Sequence, residues 1–331
     1  MKRPLLMPLV PLYAAGVALR ELRLRRAWEP MRRLRNPVIS IGNLSTGGSG
    51  KTPLTITLAR LLSERGFHVD VLSRGYGRSS REASRVVPEG TAEQYGDEPL
   101  LIAREAGVPV YVAAERYHAG RLSEATSDGV RPQVHILDDG FQHRQLFRDI
   151  DILIVNRADW NDTLLPAGNL RESLHAAMRA NVLAISADDP AFEAELRTWG
   201  WSGPIWRLRR RMEIPRVTGS VVAFCGIARP EQFFAGLKAS GMTLASHVSF
   251  ADHYRYTSRD IESLIAGARS SGATALVTTE KDEVRLGALA SAFPSSLQLK
   301  TARLTLSIED ESQVSDWLAG RLRADRALQS L

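Results

Sequence analysis

The chain has 331 residues, 44% of them hydrophobic and 24% charged, which excludes a disordered protein and gives length for one large or two modest domains. The single cysteine, Cys225, excludes an intrachain disulfide and a multi-cysteine zinc site; it fits a reducing compartment and reads as core filling. The net charge of +6 sits at one end: residues 1–35 carry nine basic side chains against two acidic ones, a net of +7, leaving the remainder at −1. That argues against a nucleic-acid-binding body, which would carry its basic patch on the folded domain, and for an attachment device.

The device is the first 35 residues. Pro4–Leu19 is an uncharged run of 16 residues. As a helix it reaches about 24 Å, short of the roughly 30 Å hydrocarbon layer. Pro4, Pro8 and Pro11 weaken its first half as a helix. From Ala14 onward Val17, Leu19, Leu22, Leu24 and Trp28 alternate with arginines, which predicts an interfacial helix beside anionic headgroups. A cleaved signal peptide and a helix packed on its own body are the competing readings.

Beyond it, strand-like and helix-like segments alternate. "PVISIGN" predicts a strand, "PLTITLARLLSERG" a helix stopped at Gly66, "HVDVLSRGYG" a strand and loop, and "PLLIAREAG" a helix. "VPVYVAAE", "VHILDDG" and "DIDILIVN" follow as strands, with "RYHAGRLSEATS" a helix between the first two. The pattern predicts an α/β fold, a parallel sheet with helices on both faces, over 36–210. The proline, glycine and basic residues of 201–216 break it. A smaller α/β domain is expected over 217–300, then a returning strand and an amphipathic C-terminal helix over 301–331 bearing Val314, Trp317, Leu318 and Leu322.

Chemistry concentrates at strand ends. "LSTGGSGKT" matches the phosphate-loop pattern at Gly50, Lys51 and Thr52 but has Ser45 where that pattern begins with glycine; Gly47, Gly48 and Ser49 supply the flexible interior. Backbone N–H groups at the head of a helix cradle phosphate oxygens, Lys51 neutralises β/γ charge and Thr52 suits Mg²⁺. Asp138 and Asp139 end a strand where phosphate-loop enzymes bring a carboxylate to the metal, Asp139 being the preferred candidate. Asp97 and Glu98, beside Pro99, fit the first turn of a helix, where the dipole alone favours them; the sharper reading gives one of them a hydroxyl proton and the other Mg²⁺. His253, next to Asp252, can assist a carboxylate in taking that proton. Arg74, Tyr76, Gln142 and His143 sit at the same sheet edge as candidate substrate contacts, and Glu280, Lys281 and Asp282 end a further strand. Asn156-Arg157-x-Asp159 is close to the N-K-x-D that reads guanine in GTPases.

Taken in order, "SIGNLSTGGSGKTP", "LSRGYGR", "YGDEP", "LDDGFQHR", "LPAGNLRE", "DHYRY" and "TTEKDEVR" resemble the tetraacyldisaccharide 4′-kinase family, the lipid A biosynthetic kinases, over about residues 37–285. The resemblance implies a phosphate-loop NTPase-like core, a smaller C-terminal α/β domain, and a cleft that closes around ATP and Mg²⁺. It implies transfer of phosphate to the 4′-hydroxyl of a lipid-linked glucosamine disaccharide 1-phosphate at the cytoplasmic face of the bacterial inner membrane. It aligns Asp97 with the family's general base, assisted by His253, and Thr52, Glu98 and Asp139 with residues near Mg²⁺. Asn169 stands where many members carry proline. The expected partners are the lipid substrate and the membrane surface, with no nucleic acid and no protein partner. A membrane-associated nucleotide switch and a soluble small-metabolite kinase are the alternatives. The first needs no sugar-directed base, and the second is indifferent to loss of residues 1–30.

Overall fold

Val38–Asn43 (β1) is buried at all of its positions, as a parallel strand covered on both faces must be. The computed structural model describes residues 3–26, 28, 30–127, 129 and 132–329. The other strands are His68–Ser73 (β2), Ser84–Arg85 (β3), Val110–Val112 (β4), Gln133–Asp138 (β5), Ile150–Ile154 (β6), Val182–Ser186 (β7), Ile205–Glu213 (β8), Val221–Cys225 (β9), Leu244–Ser249 (β10), Ala275–Thr279 (β11) and Gln298–Ile308 (β12). They form one sheet in the order β10-β9-β11-β12-β8-β7-β6-β1-β5-β2-β4-β3. All neighbours are parallel except β3–β4 and β8–β12. β1 lies between β5 and β6, with Ile41 opposite Asp138 and Asn43 opposite Ile154. The carboxyl ends of β1, β5 and β2 therefore open on one edge, where ligands bind in such sheets.

Helices cover both faces. Helix Lys51–Glu64 buries Leu54, Leu58 and Leu62, at helical spacing, against Ile39 and Ile41. Phe141, Leu153, Leu183, Ile185 and Phe192 make a second cluster with Trp160 and Trp201. Val222, Phe224, Leu264 and Leu276 form a third, and Val221, Ala223, Phe233, Leu237 and Val277 a fourth. The C-terminal helix Glu311–Gln329 buries Val314, Leu318 and Leu322 in the same cluster as helix Lys51–Glu64. Each such side chain contributes about 1.5–3 kcal/mol through burial.

One expectation changes. The basic stretch expected as a break at 201–216 is largely strand β8, because Trp206 and Leu208 alternate with arginines and bury one edge. Residues 205–208 pair parallel with β7, and 208–213 pair antiparallel with β12. β12 does the converse: 298–302 follow β11, and 303–308 join β8. The prolines near the start weaken the first half of that run as a helix, as expected, and the α-helix begins only at Val10. Pro4–Leu9 takes a 3-10 turn that includes Pro8, and Pro11 sits in the first turn of α-helix Val10–Arg25, where no N–H is needed. Pro4–Leu24 is long and apolar enough to cross a membrane by length and composition, with mean hydropathy 1.4 and none of its most apolar window buried. Of the basic end's charged residues, Lys2 and Glu29 lie outside the described residues.

Candidate active site

The loop after β1 turns on Gly47 (φ 91°) and Gly50 (φ 94°), left-handed positions that strain any other residue. A side chain on Gly50 would meet Arg210 Nη2 at 2.9 Å, and one on Gly47 would meet Ala228 at 2.9 Å, so the second half of the chain leans directly on the loop. Helix Lys51–Glu64 starts behind it and presents free N–H groups. Lys51 Nζ donates to Asn43 Oδ1 (3.1 Å) and lies 3.6 Å from Asp139. Ser45, in the glycine position of the motif, is fully buried and donates to Asp159 Oδ2 at 2.5 Å. Thr46 N–H donates to the Asn169 carbonyl at 2.9 Å, so the "LPAGNLRE" loop braces the phosphate loop through its backbone.

Asp138, Asp139 and Glu98 line the same cavity as this loop, and Asp97 stands behind them at His253. Asp138 is buried at the end of β5 and accepts from Thr55 Oγ1 (3.3 Å). Burial, then Glu98 and Asp139, push its carboxyl up to about 7. Asp139 has φ 49°, a strained backbone that turns its carboxylate toward Lys51 and toward Arg171 at 3.1 Å. Burial opposes its ionisation, but those two cations prevail and hold it below the usual range. Glu98 is paired with Lys281 (2.6 Å), which lowers its pKa. Asp97 accepts from His253 Nδ1 (2.9 Å) and from Arg285 Nε (2.7 Å); burial is outweighed and its pKa falls. His253, also at positive φ (57°), is raised by its hydrogen bond to Asp97.

The donor set of Thr52, Glu98, Asp138 and Asp139 is all oxygen, which suits Mg²⁺. Among the described residues no group of three or more His, Cys, Asp or Glu is arranged as a ready metal cage. A divalent cation would also favour the ionised form of Asp138 against its acidic neighbours.

Cations line the cavity as well. Arg74, Arg116, Arg171 and Arg20 line the same cavity, of about 720 Å³, with Tyr76, Gln142 and His143. Arg116 is buried, and burial, then Arg74, lowers it to about 10. Burial and the neighbouring arginines drive His143 down to about 3, so it is neutral. Gln142 is fixed by the Asn43 carbonyl (2.9 Å) and by Arg171 (3.2 Å). Tyr76 is exposed, its ring 5.2 Å from that of His253. Arg20, from the N-terminal helix, donates to the Gln142 carbonyl at 2.8 Å, and Tyr13 to the Arg171 carbonyl at 3.0 Å. The apolar helix thus ends at the cavity.

The structure gathers Gly47, Gly48, Ser49, Gly50, Lys51, Thr52, Arg74, Tyr76, Glu98, Asp138, Asp139, Gln142, His143 and His253 around one cavity, with Asp97 behind His253. Sequence reasoning missed Arg116, Arg171, Arg210, Arg229 and Arg285. Their signal was position: Arg116 opens the helix after β4, and Arg285 lies one turn past Lys281 in a quoted motif. The remaining candidates are engaged by partners within the chain, Glu280 among them although it also lines the cavity. Asn156 caps helix Arg157–Trp160, Arg157 pairs with Asp189 and Glu195, and Asp159 faces Ser45, so this stretch is committed within the chain and does not present an N-K-x-D base reader. Asp282 is buried and accepts from Tyr256, Thr279 and the Gly226 N–H. Glu280 accepts from the Leu304 N–H, and burial lifts its carboxyl to about 7. Cys225 is buried, its thiol pushed up to about 12, as core filling requires.

The family model described as Tetraacyldisaccharide-1-P 4′-kinase (LpxK) matches residues 2–323. Tetraacyldisaccharide 4′-kinase of Koribacter versatilis is 41% identical over 320 residues, 93% of this chain and 96% of the relative. That of Geobacter metallireducens is 38% identical, with 84% and 87% covered. A crystal structure described as the "apo" form of LpxK from Aquifex aeolicus in complex with ATP has a TM-score of 0.75 at 32% identity, covering 96% of this chain and 98% of that one. With the fold and nearly the whole length in agreement, the chain belongs to the tetraacyldisaccharide-1-phosphate 4′-kinase family.

Proposed function

We propose that this protein transfers the γ-phosphate of ATP to the 4′-hydroxyl of a tetraacyldisaccharide 1-phosphate, a step of lipid A biosynthesis. The observation that carries the reading is one cavity holding a phosphate loop on one wall, the Asp97–His253 pair on another, and an apolar helix at its mouth. Residues 36–210 act as the nucleotide-binding domain and 217–300 as a smaller domain that supplies His253, with 301–331 returning to the first.

Phosphoryl transfer is mostly alignment and charge neutralisation. The loop amides and Lys51 hold the β/γ-phosphates. Thr52, Glu98, Asp138 and Asp139 are the residues that would hold Mg²⁺, which when bound supplies further positive charge to the phosphates. The Asp97–His253 pair takes the hydroxyl proton. His253 is the member that lines the cavity, while Asp97 behind it orients the imidazole and stabilises its charged form. Arg74, Tyr76, Gln142 and His143 contact the sugar phosphate, with Arg116 as a further cation. The N-terminal helix lies in the cytoplasmic leaflet of the inner membrane. Leu5 (93% exposed) and Leu12 (74%) face outward, while Tyr13 and Arg20 grip the body.

The test is phosphate transfer from labelled ATP with Mg²⁺ and the tetraacyl disaccharide 1-phosphate in detergent. Label enters the lipid with the intact protein and falls about 10²-fold or more with Asp97→Ala. Nucleotide hydrolysis without lipid labelling, unchanged by the substitution, would overturn the reading in favour of a nucleotide switch.

A further inference from the structure

We propose that Asp159 and Arg229 are positioning residues that couple the seating of the second half of the chain to the placement of Lys51. The inference rests on the kinase reading above. Its basis is an unbroken run of polar contacts. Arg229, just ahead of helix Pro230–Ala239, donates through Nη2 to Asp159 Oδ1 at 3.0 Å. The other oxygen, Oδ2, accepts from Ser45 Oγ at 2.5 Å and from Asn156 Nδ2 at 2.6 Å. Ser45 Oγ accepts in turn from Asn43 Nδ2 at 3.1 Å, and Asn43 Oδ1 accepts from Lys51 Nζ at 3.1 Å. Asn43 and Ser45 are fully buried and Asp159 is 8% exposed, so water cannot substitute for a lost partner cheaply.

The direction of each amide and hydroxyl is set by its neighbour. Asn43 can offer its oxygen to Lys51 only while its nitrogen is engaged by Ser45. Ser45 accepts from Asn43 only while its own proton points to Asp159. Asp159, in its turn, is a largely buried carboxylate that Arg229 neutralises from the other half. Lys51 also lies 3.6 Å from Asp139. Losing the Asn43 contact therefore frees the ammonium to swing toward that carboxylate and away from the phosphates. Arg210 reinforces the link by donating to the Ser49 carbonyl from β8. Ser45 thereby acquires a purpose: glycine, the residue of the common loop motif, has no hydroxyl to relay the contact.

The experiment measures kcat and KM for ATP in the intact protein and in Ser45→Gly, Asp159→Asn, Arg229→Met and the Asp159→Asn/Arg229→Met pair, with Arg157→Gln as control. Each of the three single variants loses about tenfold in kcat with little change in KM, and the pair is no worse than the single variants, because they break one relay. Arg157→Gln, whose partners are Asp189 and Glu195, keeps full activity. Hydrogen exchange without substrate gives a readout independent of turnover: Ser45→Gly raises exchange at residues 226–232 as well as at 43–50. Wild-type kcat in Ser45→Gly, multiplicative losses in the pair, or exchange confined to the substituted loop overturns the proposal. If the intact protein transfers no phosphate, the kinase reading fails by itself, and the exchange result still decides the coupling.

Discussion

His135 lies in β5 with its side chain fully buried, far from the cavity edge of that strand. Its Nδ1 is 2.8 Å from Asp70 Oδ1 and its Nε2 3.6 Å from Glu124 Oε1; Asp70 also accepts from Ser123 and Gln133. Burial disfavours the imidazolium, but the two carboxylates prevail and push its pKa up to about 9. The folded value is above the unfolded one of about 6.5, so the stabilisation is complete below about pH 6.5 and is lost as pH rises through about 9. A shift of that size corresponds to roughly 3 kcal/mol as an order of magnitude. Replacing His135 by Asn keeps a donor for Asp70 but no charge. The expected result in urea unfolding, followed by tryptophan fluorescence, is a variant less stable by about 3 kcal/mol at pH 6.5. The gap between the two proteins should close by pH 9.5. Two curves that stay parallel from pH 6 to 9.5 would refute the charged-histidine account. Lower stability at every pH would then mean that His135 only fills space.

Arg285→Met strands the buried Asp97, which Arg285 holds at 2.7 Å, while Asp282 keeps three other donors. Loss of about 3–5 kcal/mol, measured as a urea midpoint, is expected together with loss of phosphate transfer. Lys51→Met should lower kcat for transfer by about 10²-fold or more while leaving the melting temperature within a few degrees, since Lys51 faces the cavity and its main partner is Asn43. Removing residues 1–24 should abolish binding to anionic vesicles in a sedimentation assay while ATP binding persists. Leu318→Ala, at a fully buried position of the C-terminal helix, should cost about 2–5 kcal/mol.

Much of this was legible in the sequence because two periodicities are strong. The all-buried strands β1, β5 and β6 read as apolar runs, and helix Lys51–Glu64 reads from its apolar spacing and its stop at Gly66. The phosphate loop, the Asp pair and Asp97-Glu98 were visible because each sits at the end of such an element. What stayed hidden depends on distance in space. β8 reads as a basic linker because four of its residues are arginine, and only its pairing with β7 and β12 makes it a strand. Arg285 and Asp97 are 188 residues apart, and Arg229 and Asp159 are 70 apart; no local pattern joins them. By sequence alone Ser45 is a departure from a motif; its partner Asp159 lies 114 residues away.

Strand β12 and the helix after it also bear on how the chain is made. Leu306, Ile308, Val314, Leu318 and Leu322 complete the same apolar cluster as Ile39, Ile41 and Leu54, nearly three hundred residues earlier. At roughly 5–20 residues per second, a ribosome that has finished β8 needs on the order of ten seconds more to deliver β12 and that helix. During that interval Trp206, Leu208 and the flank of helix Lys51–Glu64 lack the partners that β12 and that helix supply, and the clusters of β9 to β11 still lack Leu299 and Ala302. An arrest just short of residue 298 would therefore leave a fragment with that apolar surface open, for chaperones to hold.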